Sequence, residues 1–479
     1  MRATASSRPR RTSLVAVAAA VLCLAGPAWP AAAQPGDRPP GVPPAVDVTA
    51  LPTLASVNSM PYIVDNTATR QTGPVEQQAA CQQPVMDNPR NFDAEPPAQR
   101  RLQIRQAQQY ATGRGQRVAV IDSGVQPHPG LVGRLIDGGD YIENRTGLFD
   151  CDGHGTVVAG LIAAAPDPNS RFVGVAPAAQ ILAIRQASTF YSVPLRQLDD
   201  GQQIHSPSAG DTVSMARAVV RAVQLGATVI NISEAACFPA ERDQVNAPDL
   251  QAAVHHAVVH NVVVVVAAAN TSSTCKQNSP GAPVTTISSP GWFDDDVLTV
   301  AATDNNGKPA DFSIRGPWVD VAAPGTGAVS LAAGRPGLTT GLIDAHGQPR
   351  ALDGTSFATP YVAGVAALIR QRYPNLTARQ VMHRIEQTAQ HTGAPGARSE
   401  ELGYGMIDPV AALTAVLPEE RDAGPAAVNA AKLSGLPTPP PQDTHPRTVA
   451  LVGSAAALLL LGLIVVIAQA AKRHHQHRP

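Results

Sequence analysis

Five short β-branched apolar runs, separated by stretches that read as helices, constrain this chain more than any other feature. The runs are Arg117–Ile121, Gln180–Ile184, Ala227–Ile232, Val262–Ala267 and Val297–Ala301. The helical stretches are Val157–Ala164, Val213–Leu225, Asp249–His260, Thr359–Arg372 and Thr377–Thr388. Strands that are apolar throughout are buried on both faces, and strands alternating with helices build a parallel sheet covered on both sides. The fold class expected is therefore α/β, a doubly wound parallel sheet with helices on both faces. Ligands of such sheets sit at the carboxyl ends of the strands. Functional residues are to be sought where each run stops.

The flanks of this region differ in kind. Arg2, Arg8, Arg10 and Arg11 precede the short apolar stretch Leu14–Leu24, and Ala31-Ala32-Ala33 offers small residues for cleavage. These are the three parts of a secretory signal, so residues 1–33 are expected to be removed; an uncleaved anchor is the alternative. Val449–Ala468 is an uncharged apolar run of about 20 residues, long enough to cross a bilayer as a helix. Lys472, Arg473 and Arg478 follow it, and positive flanks stay on the cytoplasmic side. The expectation is a single-pass type I protein of the cell membrane. Its transmembrane helix is 449–470, its basic tail 471–479 is cytoplasmic, and its main domain is extracytoplasmic. Residues 418–448 contain Leu436-Pro437-Thr438-Pro439-Pro440-Pro441 and read as a semi-rigid linker. Residues 34–100 are Pro- and Gln-rich and read as an extended arm, which leaves 101–417 for the folded domain. A formal net charge of −1 gives no ground for a nucleic-acid partner.

An exported domain puts its cysteines in an oxidising compartment. Cys23 leaves with the signal, and Cys81, Cys151, Cys237 and Cys275 remain. Two disulfides are expected, with three possible connectivities. No pair has the close spacing of a structural zinc site.

Three polar residues stand where the fold would place a site. Asp122 ends the first run, in Val118-Ala119-Val120-Ile121-Asp122-Ser123-Gly124. His154 lies between two glycines in Asp152-Gly153-His154-Gly155-Thr156, at the opening of a helix. Ser356 lies in Asp353-Gly354-Thr355-Ser356-Phe357-Ala358-Thr359-Pro360, at the head of another. Each alone has a bland reading: a turn residue, a surface imidazole, a helix cap. Together they supply an acid, a base and a nucleophile in the order Asp…His…Ser, one of the known orders of the catalytic triad. Asn270, directly after the Val-rich run, adds a side-chain amide able to donate to an oxyanion.

The motifs V-I-D-S-G, D-G-H-G-T-x-V-A-G, A-A-x-N and G-T-S-x-A-T-P resemble, over about residues 95–415, those of the subtilisin-like (peptidase S8) serine proteases. With the signal, arm, Pro-rich stalk and apolar tail added, the chain resembles the mycosins, membrane-anchored proteases of actinobacterial type VII secretion systems. The resemblance implies a subtilisin-like fold and a serine endopeptidase. Asp122 would orient His154, His154 would act as base and then acid, and Ser356 would attack the peptide carbonyl. The Asn270 amide and the Ser356 N–H would hold the oxyanion. Ser233 would lie on the strand along which substrate pairs.

Two departures from the family pattern stand out. Glu234-Ala235 replaces a small apolar residue and glycine, and Ala269 replaces glycine. Both are expected to narrow the primary specificity pocket, so that protein substrates are processed selectively. The resemblance also implies the pairs Cys81–Cys151 and Cys237–Cys275, which would make the arm a permanent wrap. Gln186–Asp211 and Thr326–Leu352 read as long loops bordering the cleft or docking on a secretion complex. Asp294-Asp295-Asp296 reads as a solvated acidic loop, and no metal or other cofactor is expected. The partners implied are protein substrates and membrane components of the secretion complex. The alternative is mainly a structural stabiliser of that complex, with dispensable proteolysis.

Overall fold

The computed structural model describes residues 41–59, 74–86, 92–197, 203–206, 208–240, 247–344, 347–391 and 397–423. The signal 1–33, the stretch 436–441, the span 449–470 and the tail 471–479 lie outside the described residues. Among the described residues no helix is long and apolar enough to cross a membrane.

Seven strands form the central sheet: β1 (Arg117–Asp122), β2 (Leu135–Asp140), β3 (Gln180–Arg185), β4 (Val229–Ile232), β5 (Val263–Ala267), β6 (Leu298–Thr303) and β7 (Val321–Pro324). Their order is β7-β6-β5-β4-β1-β3-β2, and every neighbouring pair is parallel. All residues of β4, β5, β6 and β7 are buried, as continuous apolar runs require. The order reverses direction at β1 and β4, so their carboxyl ends open the crevice in which such sheets hold a site. Asp122 closes β1, and Ser233 follows β4.

The longer helices among the described residues are α1 (His154–Ala163), α2 (Thr212–Gln224), α3 (Pro248–Val259), α4 (Thr355–Arg372) and α5 (Ala378–Gln387). α1 packs on α4, and α2 packs on α3, giving a helix layer on each face of the sheet. Asp211 caps α2 by accepting from Ser214 N at 2.7 Å, and Thr377 caps α5 by accepting from Gln380 N at 3.3 Å.

α4 differs from expectation at its start. It begins at Thr355 rather than Thr359, and it carries Pro360 inside its second turn. Proline has no N–H for the carbonyl four residues earlier, which normally ends a helix. Here that carbonyl belongs to Ser356, and the Ser233 hydroxyl donates to it at 2.9 Å. Asn231 Nδ2 in turn donates to Ser233 Oγ at 2.9 Å. The helix can therefore start early enough to hold Ser356 in its first turn.

The stretches read as loops and arm contain more order than their composition shows. The insertion Thr326–Leu352 carries strands Ser330–Leu331, Leu338–Ile343 and Pro349–Ala351, and the arm strand Gln83–Met86 joins the same small sheet. The insertion Gln186–Asp211 carries Tyr191–Ser192, which pairs with arm residues Glu76–Gln77, and a hairpin of Pro194–Gln197 with Gln203–His205.

Candidate active site

The geometry begins with the close approach of α1 to the end of β1. A Cβ on Gly155 would stand 2.0 Å from the Gly124 carbonyl oxygen and 3.1 Å from Asp122 Oδ1, so only glycine fits. That approach brings His154 Nδ1 to 2.8 Å from Asp122 Oδ1. The same oxygen accepts from Ser123 N at 2.7 Å, and Asp122 is fully buried. Asp150, unanticipated from the sequence, fixes the loop between them. It is buried and accepts from Gly153 N (2.7 Å), Thr156 N (2.8 Å), Thr156 Oγ1 (2.6 Å) and Ser123 Oγ (2.8 Å). Its only signal in the sequence was an acid two residues ahead of Asp152.

Ser356 sits in the first turn of α4, where backbone N–H groups are unpaired and the helix dipole favours negative charge. The neighbouring Phe357 ring packs on the His154 imidazole, with centroids 5.3 Å apart. Among the described residues Ser356 Oγ makes no hydrogen bond; nucleophile–base contacts commonly close only when substrate binds. Asn270 follows β5 and is held by its own oxygen, which accepts from Thr355 N (2.9 Å) and Thr355 Oγ1 (3.1 Å). Its Nδ2 therefore faces the start of α4. A Cβ placed on Gly354 would lie 3.4 Å from Asn270 Nδ2 and 3.7 Å from Ser356 N, so two donors border one small space. Such a pair can hold an oxyanion. Asn270→Ala is expected to lower kcat by about 10²–10³-fold with little change in KM, measured on a peptide substrate.

Ala269, just before Asn270, has a φ of +77°, in the left-handed region. An L-residue there costs about 1–2 kcal/mol, while glycine loses about 0.5–1 kcal/mol of chain entropy on folding. Ala269→Gly is accordingly expected to stabilise the fold by up to about 1 kcal/mol, read as a rise in Tm. The Ala269 methyl packs with Cys275 and Ile314, against Ala235 and Cys237. The structure joins Cys237 to Cys275, and Cys81 to Cys151. The first pair therefore walls the space next to Asn270, and the second ties the arm three residues ahead of His154.

Glu234 stands elsewhere than expected. Its carboxylate points into the cleft beside the imidazole, with Oε1 3.8 Å from His154 Nδ1, while Ala235 joins the apolar wall by Ala269. Asp122, His154 and Glu234 place ligand-type atoms within 4.8 Å of one another, but Nδ1 is already committed to Asp122. Asp294 and Asp296 of the acidic loop are paired with Arg398 and Arg379.

The charges around His154 act on its proton. Burial favours the neutral ring, but the Asp122 carboxylate, with Glu234 and Asp150 behind it, outweighs that and raises its pKa to about 10. A base that takes a serine proton must be neutral, so kcat/KM is expected to climb as pH rises through the His154 pKa. Removing one raising charge with Glu234→Gln is expected to move this acid limb to lower pH, checked by comparing the two pH–rate profiles.

An acid, an imidazole and a serine at one edge of a parallel sheet, with two donors beside the serine, define the serine hydrolases that act through a subtilisin-type triad. The subtilase family matches residues 113–405. The chain is 38% identical over 429 residues to Mycosin-1 of Mycolicibacterium smegmatis, covering 86% of this chain and 90% of that protein. Among solved structures it is similar to MycP1 from the ESX-1 type VII secretion system, with a TM-score of 0.69, 40% identity and coverage of 79% and 97%. It is also similar to a chain in an intact ESX-5 inner membrane complex, with a TM-score of 0.68, 37% identity and coverage of 89% and 99%. The chain belongs to the subtilase family and, within it, to the mycosins. It is a subtilisin-like serine endopeptidase.

Proposed function

We propose that Asp122, His154 and Ser356 are the catalytic triad, with Asn270 and the Ser356 N–H as the oxyanion hole. The 2.8 Å contact of His154 Nδ1 with buried Asp122 carries this reading, because it fixes the tautomer whose Nε2 can accept the serine proton. Residues 233–235 leave β4 outside any strand and offer backbone for pairing with an extended substrate.

The enzyme is anchored by 449–470 with its domain outside the membrane, and it works within a type VII secretion complex, selectively cutting protein substrates. Support comes from the similar chain seated in the ESX-5 inner membrane complex and from the basic residues after the apolar run. Selectivity is supported by the filled wall of Ala235, Ala269 and the Cys237–Cys275 pair. Strand pairing of the arm with Leu338–Ile343 and Tyr191–Ser192, plus the Cys81–Cys151 bond, supports an arm that stays in place. The test compares wild type with Ser356→Ala in cells, reading cleavage of secreted proteins and assembly of the membrane complex. Cleavage lost with assembly intact supports a protease whose supporting role is separate from its chemistry. Cleavage unchanged would leave only the structural role.

A further inference from the structure

The cleft beside His154 encloses about 350 Å3 and is closed by three different parts of the chain. Gln82 comes from the arm, Gly210 and Asp211 from the first insertion, and Leu342 from the second. Its charged lining residues are Asp152, Asp211, Glu234 and His154, with no lysine or arginine among them. The three carboxylates are not equivalent. Asp152 is occupied by Ser188 Oγ (2.5 Å), Thr189 N (2.7 Å) and Thr189 Oγ1 (2.6 Å). Asp211 is occupied by Ser214 N, the cap of α2. Glu234 receives no hydrogen bond from any described residue, and its side chain is 39% exposed into the cleft. Its ionic neighbour on this chain is the His154 imidazole at 3.8 Å, too far for a hydrogen bond, so the carboxylate can still take a cationic donor from the cleft side. The rest of the lining, including Met215, Ala235, Ala236 and Leu342, is suited to an aliphatic stem.

Resting on the endopeptidase reading of the site, we infer that Glu234 is the specificity residue of a subsite next to His154 that takes a lysine or arginine side chain of the substrate. A stem lies along the apolar lining, and the cationic head reaches Glu234 from the solvent side. Glu234 precedes the Ala235 that walls the space near Asn270, so one extended substrate passes both features. A charge-assisted pair of this kind discriminates by roughly ten- to a hundred-fold against an uncharged side chain of the same shape. An acidic side chain at this position meets three carboxylates and is refused.

The test uses the full-length chain in detergent and peptides that carry either lysine or norleucine at one of the four positions before the cleaved bond. Ser356→Ala sets the background. The expected result is one position at which wild type prefers lysine at least about ten-fold in kcat/KM. At that position Glu234→Gln brings the ratio to about one, and Glu234→Asp, which keeps the charge, retains a preference. Norleucine peptides cut by wild type but not by Ser356→Ala, with no lysine preference at any position, overturn the inference alone. A preference that survives Glu234→Gln overturns it as well. Equal cleavage by wild type and Ser356→Ala overturns the endopeptidase reading and the inference with it.

Discussion

Ser356→Ala is expected to lower kcat/KM for peptide hydrolysis by about 10⁶ while leaving the fold intact. The substitution removes one oxygen that makes no hydrogen bond with any described residue. The position of α4 is set elsewhere, by its buried apolar length and by the Ser233 hydroxyl on the Ser356 carbonyl, and neither involves Ser356 Oγ. An unchanged Tm and far-UV spectrum should therefore accompany the loss of activity. Asn270 and the residue-356 N–H remain in place, so some acceleration over water persists. The variant also keeps the substrate cleft, so it should still bind the peptides it no longer cuts.

Asp122→Asn is expected to cost about 10⁴ in kcat at neutral pH, with KM much less affected. Asp122 accepts from both Ser123 N and His154 Nδ1 through Oδ1, and it is fully buried. With an asparagine there, the amide can donate to Nδ1 and leave the proton on Nε2, the nitrogen that must accept from Ser356. Electrostatics adds to this. Asp122 is the foremost of the carboxylates that raise the His154 pKa against burial, so its removal also withdraws support from the imidazolium formed during attack. A shift of the acid limb to lower pH should accompany the fall in rate. A merely structural role for Asp122 would lower Tm without moving that limb.

The fold and the site were legible to different depths. β1, β3, β4, β5 and β6 could be read because they are central strands with unbroken apolar runs. β2 could not, since Leu135-Ile136-Asp137-Gly138-Gly139-Asp140 carries two glycines and two acids; it is a strand at the sheet edge because it pairs with β3. β7 is only Val321–Pro324, too short to stand out, and it is the other edge. Asp122 ends β1 and His154 opens α1 as the sequence predicts, because strand ends and helix starts are where local sequence is most informative. Side-chain direction was harder. The family resemblance puts both Ser233 and Glu234 beside the substrate. Adjacent residues of an extended chain point to opposite sides, so the Ser233 hydroxyl turns under α4 and Glu234 turns to the imidazole. The early start of α4 was hidden for a related reason. Pro360 reads as a first-turn proline of a helix that starts at Thr359, and only a donor 123 residues away, Ser233, lets the helix start earlier.

The most direct test of the account is covalent labelling of the full-length protein with a fluorophosphonate, followed by mass mapping of the modified residue. The probe reacts with a serine hydroxyl only where a base takes its proton and an oxyanion hole holds the phosphoryl oxygen. The account predicts a single label on Ser356, lost in His154→Ala and strongly slowed in Asn270→Ala. A label on another residue, or cleavage that continues after Ser356 is fully modified, would contradict it.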